Sequence, residues 1–553
     1  MPDPPGPPPS ESLSESPPSE PLSRAGRHRG PCLLLLFAAA FLLWRGASMA
    51  GAHSESYDDE FHLAHGVAYF RGTLNQLPQT EPPLGEALTA LPVVLTNTNP
   101  RWTGTLYDHS WPPESVLLLV ALWRSLLFLP AVAVAFLWCR RAYGTPAGIL
   151  AAGLLLFDPN LAAHIPLAAI DALGVVAALV GSFLVWRAFE SPTWGRSFAA
   201  AIGMAACILV KHTTIVLPLV AVLYAPLFGW VHPSRTRRIG TWPRRIAAGF
   251  GFAVVVLLSL WTLLLFDVST PDRPAEWQQA PTALSRLIDR PLPGGIYVSA
   301  LVRAGWHAEQ GHLSYLLGER SRSGWWYYFP VVLAYKMPIG VALLLVLALL
   351  SLRRARPGFE EWGLLIPLVV WTTLFLTTRV NIGIRHFLPA YAFLLLFASR
   401  TLIAGAPRWQ KVGAWVGLGL TALHGLAWHP DYIAYLNAPR SRAFMDISDS
   451  NVDWGQGLKQ ARDWIDRHPQ PPGRPIYLLY FGDRNSPRRV QHYLGDRVTL
   501  LEPRAPLPDS GLLIASPVWV AGPFDIGDRY AALRDRTPSD AIGRTLLVYD
   551  LGP

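Results

Sequence analysis

Long apolar runs alternate along this chain with short stretches that carry arginine. A helix that crosses a bilayer has to satisfy its backbone N–H and C=O groups internally, and roughly 17 to 25 apolar residues are needed for the crossing. Runs that meet or approach that length lie near 32–50, 115–138, 146–158, 172–187, 198–210, 213–229, 247–267, 330–351, 362–378, 384–400 and 411–429. The pattern predicts about 11 transmembrane helices, of which the third, fifth and sixth are short. The first run resembles a signal peptide from Cys32 to Leu43, but the long polar segment before it and the many spans after it point to a retained helix.

The arginines give these spans a direction. Arg24, Arg27 and Arg29, Arg140 and Arg141, Arg187 and Arg196, the set Arg235, Arg237, Arg238, Arg244 and Arg245, then Arg353, Arg354 and Arg356, and finally Arg400 to Lys411 all fall on one side. Loops rich in arginine and lysine stay in the cytoplasm. A cytoplasmic N-terminus followed by eleven crossings leaves three larger pieces outside: loops 51–114 and 268–329, and the C-terminal region 430–553. Residues 1–31, rich in Pro, Ser and Glu, are expected to form a disordered cytoplasmic tail. Residues 32–429 form the transmembrane domain. In 430–553, short β-like runs at Ile476–Phe481, Leu512–Ala515 and Thr545–Tyr549 alternate with helical patterns, which predicts a small extracytoplasmic α/β domain.

Composition agrees with this reading. Of the 553 residues, 51% are hydrophobic and 15% are charged, well below the quarter of charged residues usual in soluble proteins. The net charge of +9 is almost wholly arginine, since Lys211, Lys336, Lys411 and Lys459 are the only lysines. Such an excess belongs to cytoplasmic loops, so no nucleic-acid partner is expected. Cys32, Cys139 and Cys207 are scattered and support neither a disulfide framework nor a zinc cluster.

The outer pieces hold the chemistry. Tyr57-Asp58-Asp59-Glu60-Phe61-His62 puts three carboxylates in a row just beyond the first span. They read either as the acidic first turn of a short helix or as a general base held above the membrane. Thr80-Glu81-Pro82-Pro83-Leu84-Gly85 stiffens the chain and opens an apolar stretch, Leu88 to Leu95, suited to the interface. Asp171 begins an apolar helix, where an acid either caps the helix or faces a polar cavity. Asp158-Pro159-Asn160 reads as a turn. Lys336, Arg379 and Arg385 lie near the same face, where cations either snorkel or bind phosphate. Lys211-His212 interrupts a span hairpin, lining a cavity or marking a polar turn. Histidines 62, 65, 164, 307 and 312 fall outside without a metal-binding spacing, so no metal ligands are assigned, though a divalent metal beside the acids stays open.

Several segments, in order, resemble the GT-C membrane glycosyltransferases of family 39, the phospholipid-carrier-dependent group that includes protein O-mannosyltransferases and the aminoarabinose transferases of lipid A. These segments are Asp58-Asp59-Glu60 with His62 and Gly66, Glu81-Pro82-Pro83-Leu84, Asp171, Asn381-Ile382-Gly383-Ile384-Arg385-His386-Phe387-Leu388-Pro389-Ala390-Tyr391, and Asp449-Ser450-Asn451-Val452-Asp453-Trp454-Gly455-Gln456. The resemblance implies a GT-C catalytic domain at 32–429, a sugar donor on a polyprenyl phosphate, a hydroxyl acceptor and an inverting displacement. The family's acidic pair falls on Asp58-Asp59 or on Asp59-Glu60, with Asp59 included either way. Glu81 stands where many relatives have His or Asn.

The candidate set is then Asp58, Asp59, Glu60 and Asp171 for catalysis, Arg385, Lys336, Arg379 and Arg320 for the donor phosphate, and His62, Glu81 and Asn381 for substrate. The expected partners are the lipid-linked donor, a hydroxyl acceptor and membrane lipid, and the expected location is a bacterial inner membrane. The competing class is a transporter or lipid flippase, which would gather its charges at the bilayer midplane.

Overall fold

The computed structural model describes residues 24–99, 104–231, 242–272, 288–438, 442–483, 485–524 and 527–552. Most of the expected cytoplasmic tail, Arg235, Arg237 and Arg238 lie outside these described residues.

Among the described residues ten helices form the first part of the chain: α1 (Arg24–Ala52), α2 (Asp59–Arg71), α3 (Pro83–Thr96), α4 (Pro113–Leu127), α5 (Leu129–Tyr143), α6 (Thr145–Phe157), α7 (Pro159–His164), α8 (Asp171–Glu190), α9 (Trp194–Ile208) and α10 (Leu217–Val231). Among the described residues seven more follow up to the C-terminal part: α11 (Trp242–Leu263), α12 (Gly295–Gln310), α13 (Tyr328–Lys336), α14 (Ile339–Leu352), α15 (Phe359–Thr377), α16 (Leu388–Ala398) and α17 (Arg408–Ala427). The described part of the segment 268–329 also carries two antiparallel pairs, β1 (Val268–Ser269) with β2 (Leu292–Pro293), and β3 (Ser314–Leu316) with β4 (Glu319–Ser321).

Each of the eleven apolar runs is helical over most of its length, but their lengths differ. Among the described residues six helices are long and apolar enough to cross a membrane, or seven if a bent pair counts as one span. The bent pair corrects the sequence reading. The run 330–351 is not one straight helix but α13 and α14, which meet at 116°. Met337-Pro338 is the cause, because Pro338 lacks a donor N–H and pushes Met337 into extended backbone, φ −75° and ψ 123°. Pro338 within the run is the sequence sign of the break; the angle is set by the fold. Proline starts helices elsewhere, opening α3 at Pro83 and α4 at Pro113, where the missing N–H costs nothing.

Helix α2 lies on α3. Gly66 makes this contact possible, since a Cβ there would stand 2.3 Å from the Glu86 carbonyl oxygen. The Gly66 of the acidic motif is therefore a packing residue.

The C-terminal part contains helices α18 (Leu458–Arg467), α19 (Ser486–Leu494) and α20 (Pro517–Ala521). Its strands are β5 (Ile476–Leu479), β6 (Thr499–Leu500), β7 (Leu512–Ala515), β8 (Asp540–Ile542) and β9 (Leu546–Asp550), in the order β6-β5-β7-β9-β8. Strands β6, β5 and β7 are parallel, and β7, β9 and β8 antiparallel, so the expected α/β domain is present. Alternation of side chains gives its sheet two apolar faces. Leu478, Ile514 and Val548 form a core with Leu458, Trp464 and Tyr493 of α18 and α19. Leu479, Leu513, Ala515 and Tyr549 join the core that runs on into the membrane helices. The domain is thus fused to the membrane part by its sheet.

Candidate active site

The loop between α1 and α2 is pinned from above. Ser54 N–H donates to the Gln456 carbonyl at 3.0 Å, and Tyr57 N–H donates to the Trp454 carbonyl at 2.8 Å. This fixes Asp58, the residue just before α2. Its carboxylate accepts from Arg385, with Arg385 Nη1 2.9 Å from Asp58 Oδ2. The same nitrogen is 3.7 Å from Asp171 Oδ2, and Lys211 Nζ pairs with the other oxygen of Asp171. The four groups form a row of alternating charge, Asp58, Arg385, Asp171, Lys211. The Arg385 guanidinium lies 4.3 Å from the centre of the Trp454 ring, a cation–π contact that also holds it flat.

Asp171 is the first residue of α8 and not its cap, which is Ile170, and its carboxylate oxygens face Lys211 and Arg385. Of its two sequence readings, the structure realises the one in which it faces a polar cavity. Asp158, by contrast, does cap: its Oδ1 accepts from Asn160 N at 2.9 Å and Leu161 N at 3.1 Å.

A cavity of ≈ 660 Å³ opens beside this row. Its polar lining comprises Asp58, Asp171, Lys211 and Arg385, together with Glu81, His62 and His212. Ile215, Leu301, Leu374, Phe375 and Val380 supply apolar lining, and α12 adds Arg303 and His307. Such a cavity suits an amphiphile with a charged head and an apolar tail.

The electrostatics distinguish the acids. Burial pushes the Asp58 carboxyl above its usual range, and the neighbouring Arg385 offsets part of that rise. Burial would likewise raise Glu81, but His212, 2.5 Å from Glu81 Oε2 through Nδ1, more than reverses it and leaves this carboxyl below its ordinary value. His62 is lowered to about 4 by burial, and its Nδ1 stands 3.0 Å from Glu86 Oε1.

The candidate residues separate into those that reach the cavity and those that do not. Asp58, Asp171, His62, Glu81 and Arg385 line it. Asp59, shared by both alignments of the acidic pair, is not among the lining residues. It holds the local backbone, Oδ2 accepting from Ser56 N at 2.8 Å and Oδ1 from Ala169 N at 3.2 Å. Glu60 accepts from Leu106 N at 3.0 Å and from Asn485 Nδ2 at 3.0 Å. Lys336 is buried and donates to the Ile433 carbonyl at 2.8 Å. Arg379 donates to the Glu309 carbonyl at 3.3 Å, and Arg320 is 3.6 Å from Asp528. Asn381 Oδ1 accepts from Trp325 N at 2.7 Å and so fixes the loop ahead of Arg385.

Sequence reasoning left Lys211, His212, Arg303, His307 and His386 out of the site, yet all five line the cavity. Lys211 and His212 did carry a signal, as polar residues inside an apolar hairpin, His386 lies in the motif Asn381 to Tyr391, and His307 is one of the outer histidines. Arg303 lacks one, because only folding brings α12 to the same place. Among the described residues no group of three His, Cys, Asp or Glu side chains is arranged to hold a metal ion.

Residues 114–261 match the family model of dolichyl-phosphate-mannose-protein mannosyltransferase. That segment runs from α4 into α11 and contains Asp171, Lys211 and His212. The match covers less than half of the 553-residue chain, so it is a likeness of this segment to that family. Among solved structures, ArnT from Cupriavidus metallidurans bound to undecaprenyl phosphate is similar at 14% identity and a TM-score of 0.48, over 95% of this chain and 99% of that one. The oligosaccharyltransferase of Archaeoglobus fulgidus tethered with an acceptor peptide is similar at 11% identity and a TM-score of 0.46, over 85% of this chain and 64% of that one. Likeness at this level assigns no residue. A comparison with curated proteins gave no match.

Proposed function

We propose that this protein transfers a sugar from a polyprenyl-phosphate carrier to a hydroxyl acceptor at the extracytoplasmic face of a bacterial inner membrane, with inversion at the anomeric carbon. The observation that carries this reading is the Asp58 carboxylate held 2.9 Å from Arg385 in a cavity lined by both charged and apolar side chains. A lipid-linked phosphate needs both kinds of lining. The family match over 114–261 supports the donor class.

In the reaction Asp58 takes the proton of the acceptor hydroxyl while the hydroxyl oxygen forms its bond to the anomeric carbon. The bond from that carbon to the phosphate oxygen breaks, and its electron pair leaves with the lipid phosphate. Lys211, Arg303 and Arg385 are the lysine and arginine side chains that line the cavity among the described residues, and positive charge fixed there stabilises the leaving phosphate. Asp171 keeps Lys211 and Arg385 in place. Glu81 and His62 line the same cavity and are the candidates for contacts to the sugar.

The test is turnover of a panel of polyprenyl-phosphate sugars by purified protein in lipid, followed as release of free lipid phosphate. Release by the wild type and its loss in Asp58→Asn is the expected result. A folded wild-type protein inert towards every donor would turn the reading towards a transporter.

A further inference from the structure

The acidic loop carries more buried carboxylates than the cavity uses. Glu55 and Glu60 stand three residues before and two after Asp58, both buried, and neither lines the cavity. Between them lies Arg489 of α19, from the C-terminal domain, itself fully buried. Its Nε is 3.2 Å from Glu55 Oε1, and its Nη2 is 3.2 Å from Glu60 Oε2 and 3.4 Å from Asp483 Oδ1. The rest of the contact is complementary. Tyr493 donates to Glu55 Oε2 at 3.1 Å, Tyr107 donates to Glu55 Oε1, and Asn485 donates to Glu60 Oε2 at 3.0 Å.

Two carboxylates buried so close would repel each other and each would lack its water, so both depend on the cation between them. A guanidinium suits this place because its fork reaches two carboxylates at once, whereas an ammonium offers a single charged point. The loop is therefore gripped on both sides of Asp58, by side chains of α19 and by the two backbone bonds to Trp454 and Gln456.

We propose that Arg489 is a positioning residue: by bridging Glu55 and Glu60 it sets the Asp58 carboxylate against Arg385, so that the outer domain is part of the catalytic frame. The catalytic half of this inference rests on Asp58 as the base; the structural half does not. A misplacement of the base by about 1 Å costs on the order of 100-fold in rate. The pair of Arg488 with Asp108, 2.7 Å apart and exposed, ties the same helix to the same outer loop away from Asp58 and serves as the control.

The experiment measures kcat and donor KM in lipid for the full-length wild type, Arg489→Gln, Arg489→Lys and Arg488→Ala, together with amide exchange over residues 54–60. Arg489→Gln is expected to lower kcat by about 10- to 100-fold, leave donor KM nearly unchanged, and lose exchange protection at 54–60 while α8 stays protected. Arg489→Lys falls between, and Arg488→Ala behaves as wild type. Wild-type kcat and protection in Arg489→Gln would overturn the proposal, as would an equal loss in Arg488→Ala, which would mean domain docking alone. Should the wild type turn over no donor, the catalytic reading fails, and exchange still decides whether Arg489 holds the loop. Should Arg489→Gln not fold, Glu60→Gln, which removes one side of the bridge, is read in the same way.

Discussion

Asp58 Oδ2 and Arg385 Nη1 lie 2.9 Å apart although 327 residues separate them in sequence. The next carboxylate along the chain, Asp59, is spent on the backbone N–H groups of Ser56 and Ala169. Asp58→Asn is therefore expected to lower transfer by about 100- to 10,000-fold in protein that remains folded. Asp59→Asn is expected to lower stability by about 1–3 kcal/mol through its buried hydrogen bonds, with a smaller loss in kcat. Lipid-phosphate release and thermal unfolding measured on both variants separate the two residues; the reverse pattern would make Asp59 the base.

The pH dependence follows from the direction of the Asp58 shift. Burial raises its carboxyl, and Arg385 offsets the rise, so kcat/KM should climb with pH along a limb displaced above the ordinary aspartate value of about 3.9. Arg385→Gln removes the offset and is expected to move the limb further up. The stability term has the opposite sense. A folded value above the unfolded one means that Asp58 contributes stability present in full below the unfolded pKa and lost as pH rises through the folded one. His62, at about 4, is neutral above that pH and adds no limb near neutrality. A rate profile flat from pH 4 to 8 would contradict the assignment.

Lys211 and Asp171 form a buried ion pair. Removing one partner leaves a charge in a dry site and costs about 3–5 kcal/mol, whereas removing both is often far milder. Lys211→Met is expected to be much less stable than Lys211→Met with Asp171→Leu, although neither should transfer sugar. Unfolding in detergent of the two single variants and the double variant measures the coupling.

Sidedness is testable without activity. Arg504 and Arg356 are both exposed, and the arginine pattern puts them on opposite faces of the membrane. Arg504→Cys is expected to react with an impermeant maleimide in spheroplasts, and Arg356→Cys only after the membrane is opened. Labelling of both before opening would refute the topology.

The sequence alone determined that lipid is the solvent of this chain, where its apolar helices lie, and that a small α/β unit follows them. Each of these rests on local pattern: run length, arginine placement and two-residue alternation act through neighbours in the chain. It also offered Asp58, Asp171, Arg385, Glu81 and His62 as candidates, because motif order survives in the sequence, and these line the cavity. What it could not decide was which member of an acidic triplet faces the cavity, since consecutive residues at a helix start point in different directions and only the partners fix their roles. The angle of α13 against α14, the entry of Arg303 from α12 and the grip of Arg489 on Glu60, 429 residues away, were settled by tertiary structure alone. Charges buried in a dry interior persist only where an opposite charge meets them, and that meeting is made by packing distant segments together.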